Sequence, residues 1–334
     1  MARYIRKPKK HRLLKALACI LTVLILGVVA YGAYFFVMLN SIERVPVPDN
    51  SSDLGIGQPG DYYPNEVTTI ALFGIDDRGD GAGRSDAILL LTVDPGNHKV
   101  KVTSLMRDSY VNVDGYGMTK LGHAYIYGGA QLAIKTINQN FDLNITDYVT
   151  VNFNQLAEVI DALGGVEIDI TEAERASANV NIREVAILNG DEGGADYIEA
   201  AGLQTLSGSQ AVGYARIRNV GNSDFERTER QRLVLNKLFD KALKLGPTQY
   251  PAVLAKILPL VQTSLTNSEI LSIGFNALKG GTPAFEQARF PLDEDIAPAT
   301  GSTINGVWYL TYSDENTISK LHDFLFNDIS PYEE

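Results

Sequence analysis

From Ala16 to Ile42 the chain carries no charged residue, and Ala16 to Leu39 is a run of 24 mostly apolar residues. At about 1.5 Å of rise per residue, a helix of that length crosses a hydrocarbon core of about 30 Å with some tilt. The sequence therefore predicts a transmembrane helix over residues 16–39. A cleaved secretory signal has a shorter apolar region. Here Ala30 and Gly32, small enough for a cleavage site, lead into apolar Tyr34 to Met38 instead of polar chain. Seven cations (Arg3, Arg6, Lys7, Lys9, Lys10, Arg12 and Lys15) precede the span, and the first acidic residue is Glu43. The positive-inside rule then puts residues 1–15 in the cytoplasm and the remaining chain outside, at the cell membrane. A tail that short holds neither a DNA-reading helix nor a kinase domain.

The formal net charge of −11 averages over this asymmetry. Apart from the leading cations, 22 basic residues face 40 acidic ones, so residues 16 onward carry about −18. An acidic body of that size excludes naked nucleic acid as a partner. The only cysteine, Cys19, falls within the apolar run, which leaves the outer part without disulfides or a thiol nucleophile. An exported domain of that kind fits a single-membrane bacterium better than a eukaryotic secretory protein.

Residues 40–66, rich in Pro, Gly, Ser and Asp, read as a stalk. Apolar, β-branched runs at Val67 to Ile75, Ala87 to Asp94 and Lys99 to Leu105 predict strands, the last two joined by a short turn. Lys99, Lys101 and Thr103 alternate with Val100, Val102 and Ser104, which predicts one solvated face. A helix near Gly129 to Asn140 follows, then strand (Tyr148 to Phe153), helix (Asn154 to Leu163) and strand (Val166 to Ile170), spaced as a βαβ unit. Thr171 to Ala201 reads as an irregular acidic excursion. Helices are predicted near Ser207 to Tyr214, Phe225 to Leu245, Tyr250 to Leu260 and Ser268 to Leu278, then strands at Phe285 to Phe290 and Thr303 to Tyr309, and a last helix at Glu315 to Phe326. The fold class is α/β: a mixed central sheet with helices packed on both faces, in one outer domain over residues 67–330.

The usual catalytic signatures are missing. The four histidines (His11, His98, His123 and His322) lack metal-ligand spacing, there is no GxSxG elbow, and the Gly-rich stretch from Asp76 to Asp86 lacks the GK[ST] ending of a nucleotide loop. That stretch offers carboxylates instead. Asp76 ends one strand and Asp86 begins the next, so a turn of nine residues brings two hard oxygen donors to one end of a sheet. Mg2+ is commonly held by such a pair, with water and phosphate oxygens completing its shell. A solvated Gly-Asp loop, or a Ca2+ loop without function, is the bland alternative. Arg84, two residues from Asp86, points to the same side of an extended chain.

Of the arginines outside the span, Arg216, Arg218, Arg227, Arg230 and Arg232 fall within 17 residues. Arg216 and Arg218, in an extended run, would project two guanidinium forks together, a match for phosphate oxygens. The helix after them opens on Ser223-Asp224-Phe225-Glu226, a capping box that puts Asp224 in its first turn. Along it Arg227 and Gln231 share a stripe with Val234 and Leu238, with Arg230 at the stripe's edge. Arginines on the apolar face are either ligands or halves of buried ion pairs with Asp224 or Asp108. Arg107-Asp108, just after a strand, is open to the same two readings.

The ordered motifs Gly74-Ile75-Asp76-Asp77-Arg78, Gly83-Arg84-Ser85-Asp86, Met106-Arg107-Asp108-Ser109-Tyr110-Val111, Lys120-Leu121-Gly122-His123-Ala124-Tyr125, Tyr214-Ala215-Arg216-Ile217-Arg218 and Asp224-Phe225-Glu226-Arg227-Thr228-Glu229-Arg230-Gln231 resemble the LytR-CpsA-Psr family over about Thr69 to Leu238. Gly122 and Met106 depart from its pattern, standing where asparagine and proline are frequent. The resemblance implies a cell-envelope phosphotransferase. Such an enzyme moves an anionic glycopolymer, such as wall teichoic acid or capsular polysaccharide, from a polyprenyl pyrophosphate carrier to peptidoglycan. It implies Mg2+, with Mn2+ as the substitute, on Asp76 and Asp86. It also implies pyrophosphate contacts from Arg84, Arg107, Arg216, Arg218, Arg227 and Gln231, with Asp224 and Arg230 in support. Lys120 is a ligand or a structural cation, and His123 is structural.

The partners implied are the lipid-linked polymer, the peptidoglycan acceptor and membrane lipid. Arg84, Arg107, Arg218 and Asp224 are the expected catalytic residues; the sequence nominates no general base. A polyprenyl pyrophosphate hydrolase would use the same site with water as acceptor. A membrane-tethered regulator would bind lipid pyrophosphates without chemistry.

Overall fold

The computed structural model describes residues 32, 34–48, 50–57, 66–76, 83–188, 190–221, 223–246, 249–296 and 301–332, without the side chains of Glu192, Ser223 and Asp224. Residues 1–41 and 42–334 are separate compact units. In the first, residues 32 and 34–39 are helical; the rest of the predicted span and the whole basic tail lie outside the described residues. Among the described residues no helix is long and apolar enough to cross a membrane.

The second unit begins with β1 (Glu43–Arg44), β2 (Thr68–Asp76), β3 (Arg84–Asp94), β4 (Lys99–Leu105), β5 (Tyr110–Val113), β6 (Gly117–Lys120) and α1 (His123–Phe141). Next come β7 (Tyr148–Asn152), α2 (Phe153–Ala162), β8 (Val166–Ile170), α3 (Glu172–Leu188), β9 (Gly202–Leu206), α4 (Gly208–Ala215) and α5 (Ser223–Lys244). The chain ends through α6 (Tyr250–Ile257), β10 (Gln262–Thr263), α7 (Asn267–Leu278), β11 (Ala284–Phe290), β12 (Ser302–Ile304), β13 (Val307–Tyr309) and α8 (Asp314–Phe326).

Seven strands form the main sheet in the order β1-β10-β7-β2-β3-β4-β11. β7 and β2, β4 and β11, and β1 and β10 run parallel, whereas β2, β3 and β4 form an antiparallel meander. Alternation along the central strands sends Ala71, Phe73, Ile75, Ile88 and Leu90 to one face. There they pack on Ile134, Ile137 and Phe141 of α1 and Leu321, Phe324 and Leu325 of α8. A second core of Ile160, Ile168, Ile182, Val212, Val234 and Leu238 joins β8 to α2, α3, α4 and α5. Each fully buried side chain of this kind contributes roughly 1.5–3 kcal/mol. The sheet is mixed and covered by helices on both faces, as the sequence predicts.

Five expectations are corrected. Residues 42–48 and 50–57 are not a stalk but part of the folded body. β1 extends the sheet edge, Leu54 is 1% exposed, Val47 and Ile56 pack on the core, and buried Asn138 donates to the Leu54 carbonyl at 2.8 Å. The segment from β7 to β8 is not a βαβ unit, because Gly164 and Gly165, with φ of 80° and 78°, turn the chain out of the sheet. β8 then pairs antiparallel with β9, and its one buried face (Val166, Ile168, Ile170) suits a two-stranded ribbon. The acidic excursion contains α3, whose buried face is only Ala178 and Ile182, too thin a stripe to stand out in the sequence.

Finally, β4 has no wet face. Lys101 is 0% exposed because β11 and α8 cover it. Its ammonium donates to the Phe324 carbonyl at 2.9 Å and pairs with Asp328 at 3.0 Å and Asp94 at 3.4 Å. A buried cation persists in this form because each donor finds an acceptor. The late strand near residues 303–309 is likewise two strands, β12 and β13, turning through Asn305 and Gly306 at φ of 51° and 82°.

Candidate active site

At the end of the sheet where β2 stops and β3 starts, one residue breaks the ladder. Gly74 pairs with Ala87 and Ile75 with Ser85, so Asp86 is an extra residue in β3. A bulge of this kind resets the alternation of side chains. Ser85 turns inward and is 1% exposed, whereas Asp86 joins Asp76 in the wall of one polar pocket. Asp76 gets there by simple alternation with Leu72 and Gly74.

That pocket, of about 190 Å³, is lined also by Arg216, Arg218, Asn219, Arg227 and Gln231, with Phe153, Asn181 and Glu184 on the far side. α4 starts at a capping box, in which Ser207 accepts from the Gln210 backbone and Gln210 from that of Ser207. It ends at Arg216, a helical C-cap with φ −95° and ψ 0° rather than the extended residue expected. Buried Ile217 anchors the turn, and the guanidinium groups of Arg216 and Arg218 converge from either side of it. Arg216 lies 4.8 Å over the Phe153 ring and 3.8 Å from Asp76. Arg218 donates to Asp86 Oδ2 at 3.2 Å. On α5 the predicted stripe is present: Arg227, Val234 and Leu238 are 3%, 2% and 7% exposed, and Gln231 reaches the same pocket.

Asp86 also belongs to a second, outer lobe of about 90 Å³, with Arg84, Ser85, Arg107, Asp108, Lys120, Gly122 and His123. Arg107 donates to Asp86 Oδ1 and, at 3.3 Å, to Asp108. Lys120 pairs with Asp108 at 2.7 Å and lies 5.6 Å over the Trp308 ring and 5.9 Å over Tyr309. His123 meets Thr119 Oγ1 at 2.9 Å. Burial first, and then the charges of Arg84 and Lys120, hold its pKa below the ordinary 6.5, against the opposing pull of Asp108. The two lobes together set six cationic side chains against four carboxylates, a local surplus of positive charge inside an acidic body.

Behind the inner lobe an apolar cavity of about 210 Å³ runs between the sheet and the helices. Its floor is Leu72, Gly74, Ala87, Leu89, Val149 and Val151, and its roof includes Leu156, Val212, Val234 and Leu235. Phe153 and Gln231 line both spaces.

Arg230 does not face these lobes. Its guanidinium clamps Glu174 of α3 at 3.0 Å and Glu226 at 2.9 Å, and donates to the Val220 carbonyl at 3.3 Å. Asp224 sits in the first turn of α5, and its side chain is outside those described, as is that of its expected cap, Ser223. Phe153, Asn181, Glu184 and Asn219 were not singled out from the sequence. Asn181 and Glu184 belong to α3, and only recognition of that helix, three residues apart on one face, would have flagged them.

Chemically, the lobes offer planar, permanently charged forks for phosphate oxygens. Asp76 and Asp86 share one wall, and as hard oxygen donors they fit Mg2+. No group of three or more His, Cys, Asp or Glu converges among the described residues, so an ion there would draw remaining ligands from water and phosphate.

A family model described as the LytR_cpsA_psr family matches residues 48–323. The chain is 30% identical to a polyisoprenyl-teichoic acid–peptidoglycan teichoic acid transferase, TagU, of Oceanobacillus iheyensis, over 85% of this chain and 82% of that one. The fold is shared with solved structures. TagT bound to LI-WTA superposes with a TM-score of 0.63 at 24% identity, over 85% of this chain and 98% of that one. A LytR-CPS2A-psr family protein, YwtF (TagT), with bound octaprenyl pyrophosphate lipid, gives 0.59 at 23% identity over the same shares.

Proposed function

The chain belongs to the LytR-CpsA-Psr family, and on that premise we propose that it transfers a teichoic-acid-type glycopolymer from a polyprenyl pyrophosphate carrier to peptidoglycan at the cell envelope. One observation carries this reading: an apolar cavity adjoins a pocket lined by arginines, with Phe153 and Gln231 lining both. A prenyl chain in the cavity leaves its pyrophosphate between Arg216, Arg218 and Arg227, with Arg84, Arg107 and Lys120 beyond. A capsular-polysaccharide-type polymer has the same anchor and is the alternative cargo.

In the reaction the oxygen of the acceptor hydroxyl bonds to the polymer-proximal phosphorus and its proton passes to water, while the bond from that phosphorus to the prenyl phosphate breaks and its electron pair departs with prenyl phosphate. Charge builds on the phosphate oxygens in the transition state, and arginine forks fixed in advance stabilise it there. Arg107 and Arg218 grip Asp86 from two sides, which holds both forks in place before substrate arrives. Asp76 and Asp86 would hold Mg2+ or Mn2+, which supplies neutralising charge to a pyrophosphate. The span over residues 16–39 would anchor the chain with the catalytic unit outside, beside the membrane lipid that carries the substrate.

The test is reconstitution of the full chain in vesicles with lipid-linked polymer and peptidoglycan oligomers. Polymer joined to peptidoglycan with release of prenyl phosphate is expected. Polymer set free although acceptor is present would point to a hydrolase. In cells, intact polymer attachment with both Arg218→Ala and Asp76→Ala would leave only a regulator.

A further inference from the structure

Two tyrosines stack in the open beside the outer lobe. Tyr116 stands on the turn of the β5–β6 hairpin between Gly115 and Gly117, whose φ values of 78° and 76° let the chain reverse around it. Tyr127 lies in α1 just before the kink at Gly128 and Gly129. Their ring centroids are 4.2 Å apart with planes within 7°, and the Tyr116 hydroxyl donates to the Tyr127 carbonyl at 3.4 Å. Tyrosine rings usually bury their apolar body, yet Tyr116 is 55% exposed and Tyr127 39%, with Met118, two residues after Tyr116, at 49%. Because Tyr127 covers one face of Tyr116, the opposite face looks outward.

The pair is joined to the site. His123 lines the outer lobe and meets the Tyr127 ring edge-on at 5.9 Å. Shared walls therefore set an order: apolar cavity, inner lobe, outer lobe, aromatic ledge. They are Phe153 and Gln231, then Asp86, then His123. A lipid-linked substrate seated with its prenyl chain in the cavity and its phosphates in the lobes presents sugar next. An acceptor sugar also has to approach from that side. The C–H face of a pyranose packs on an open tyrosine face, and its hydroxyls stay at the wet rim beside Asp114, 56% exposed in its side chain.

We propose that Tyr116, backed by Tyr127, is a pyranose-binding subsite of this enzyme. The proposal rests on the transferase reading for its substrates. The experiment uses the full chain in nanodiscs and three probes: a β-1,4-linked N-acetylglucosamine tetrasaccharide, bare octaprenyl pyrophosphate, and a disaccharide-bearing prenyl pyrophosphate. Tyr116→Ala is expected to weaken sugar binding about fivefold to tenfold. It should leave kcat within about twofold and binding of bare octaprenyl pyrophosphate unchanged; Tyr116→Phe keeps the ring and should match the wild type. If the sugar belongs to the acceptor, tetrasaccharide binding falls and KM for peptidoglycan oligomers rises. If it belongs to the donor, the disaccharide-bearing lipid loses its advantage over the bare one. Unchanged binding of both sugars by Tyr116→Ala overturns the ledge. Failure of the wild type to bind octaprenyl pyrophosphate would count against the transferase reading instead, and the sugar titration would still judge the ledge.

Discussion

Arg218 Nη2 donates to Asp86 Oδ2 at 3.2 Å across 132 residues of chain, joining the end of α4 to the bulge in β3. Arg218 keeps 45% of its side chain exposed in this pose, so it is tethered rather than buried and free to face a ligand. Replacing it with alanine should leave the unfolding free energy within about 1 kcal/mol, since exposed pairs contribute little. Transfer should fall about 10²–10³-fold, as for loss of one group that stabilises transition-state charge. Arg218→Lys should recover only a small part, because an ammonium lacks the two-pronged geometry. Steady-state transfer and urea denaturation of the same preparations check both halves.

Asp76→Asn keeps the shape of the wall and removes a charged oxygen donor. The Mg2+ concentration for half-maximal transfer should rise at least about tenfold, with the fold unchanged by circular dichroism. An unaltered metal titration would remove Asp76 from the proposed ion site.

The apolar cavity predicts a chain-length effect. Leu235→Trp puts a larger ring into its roof. Binding of an octaprenyl pyrophosphate should weaken about tenfold or more, while inorganic pyrophosphate binding stays within about twofold. Isothermal titration with both ligands separates the two.

Arg230 is expected to act on stability. Arg230→Ala removes the cation from Glu174, whose side chain is 13% exposed and keeps Thr171 as a donor at its other oxygen, and should cost about 2–3 kcal/mol in urea unfolding. Glu174→Gln in the same chain should restore part of that loss. Protein that remains folded should retain transfer within a few-fold.

His123 gives a pH signature. Its folded pKa lies below the ordinary 6.5, so just under 6.5 the unfolded chain takes up a proton that the native one does not. Its contribution to stability is therefore unchanged above that pH, falls as pH drops through 6.5, and levels off below the folded pKa. NMR titration of the imidazole should find the low value, and His123→Asn should flatten the slope of stability between pH 7 and 5.5.

Reading the chain in one dimension reaches most elements and the stripe Arg227, Gln231, Val234 and Leu238, because helical periodicity is a local property of sequence. It does not reach partners fixed by distant chain. Lys101 looks wet until α8, more than 200 residues later, is laid over it. Arg230 and Arg227 are near neighbours on one helix, yet Glu174 on α3 draws one into a structural clamp while the other faces the pocket. Residues 42–57 look like a stalk from their Pro and Gly content, but Leu54 and Ile56 find the core. The outer lobe was legible only in part, since Lys120 reaches Asp108 through a hairpin that no strong apolar alternation announces.

The bulge at Asp86 makes this end of the sheet sensitive to counting. Losing Ser85 would remove the bulge. The ladder would then close with Asp86 opposite Ile75, turning the carboxylate toward the apolar core beneath α1 and releasing Arg107 and Arg218 together. A single-codon deletion there should do what no substitution at Asp86 does, exchanging the two faces of a strand end while leaving every charged site residue in the sequence.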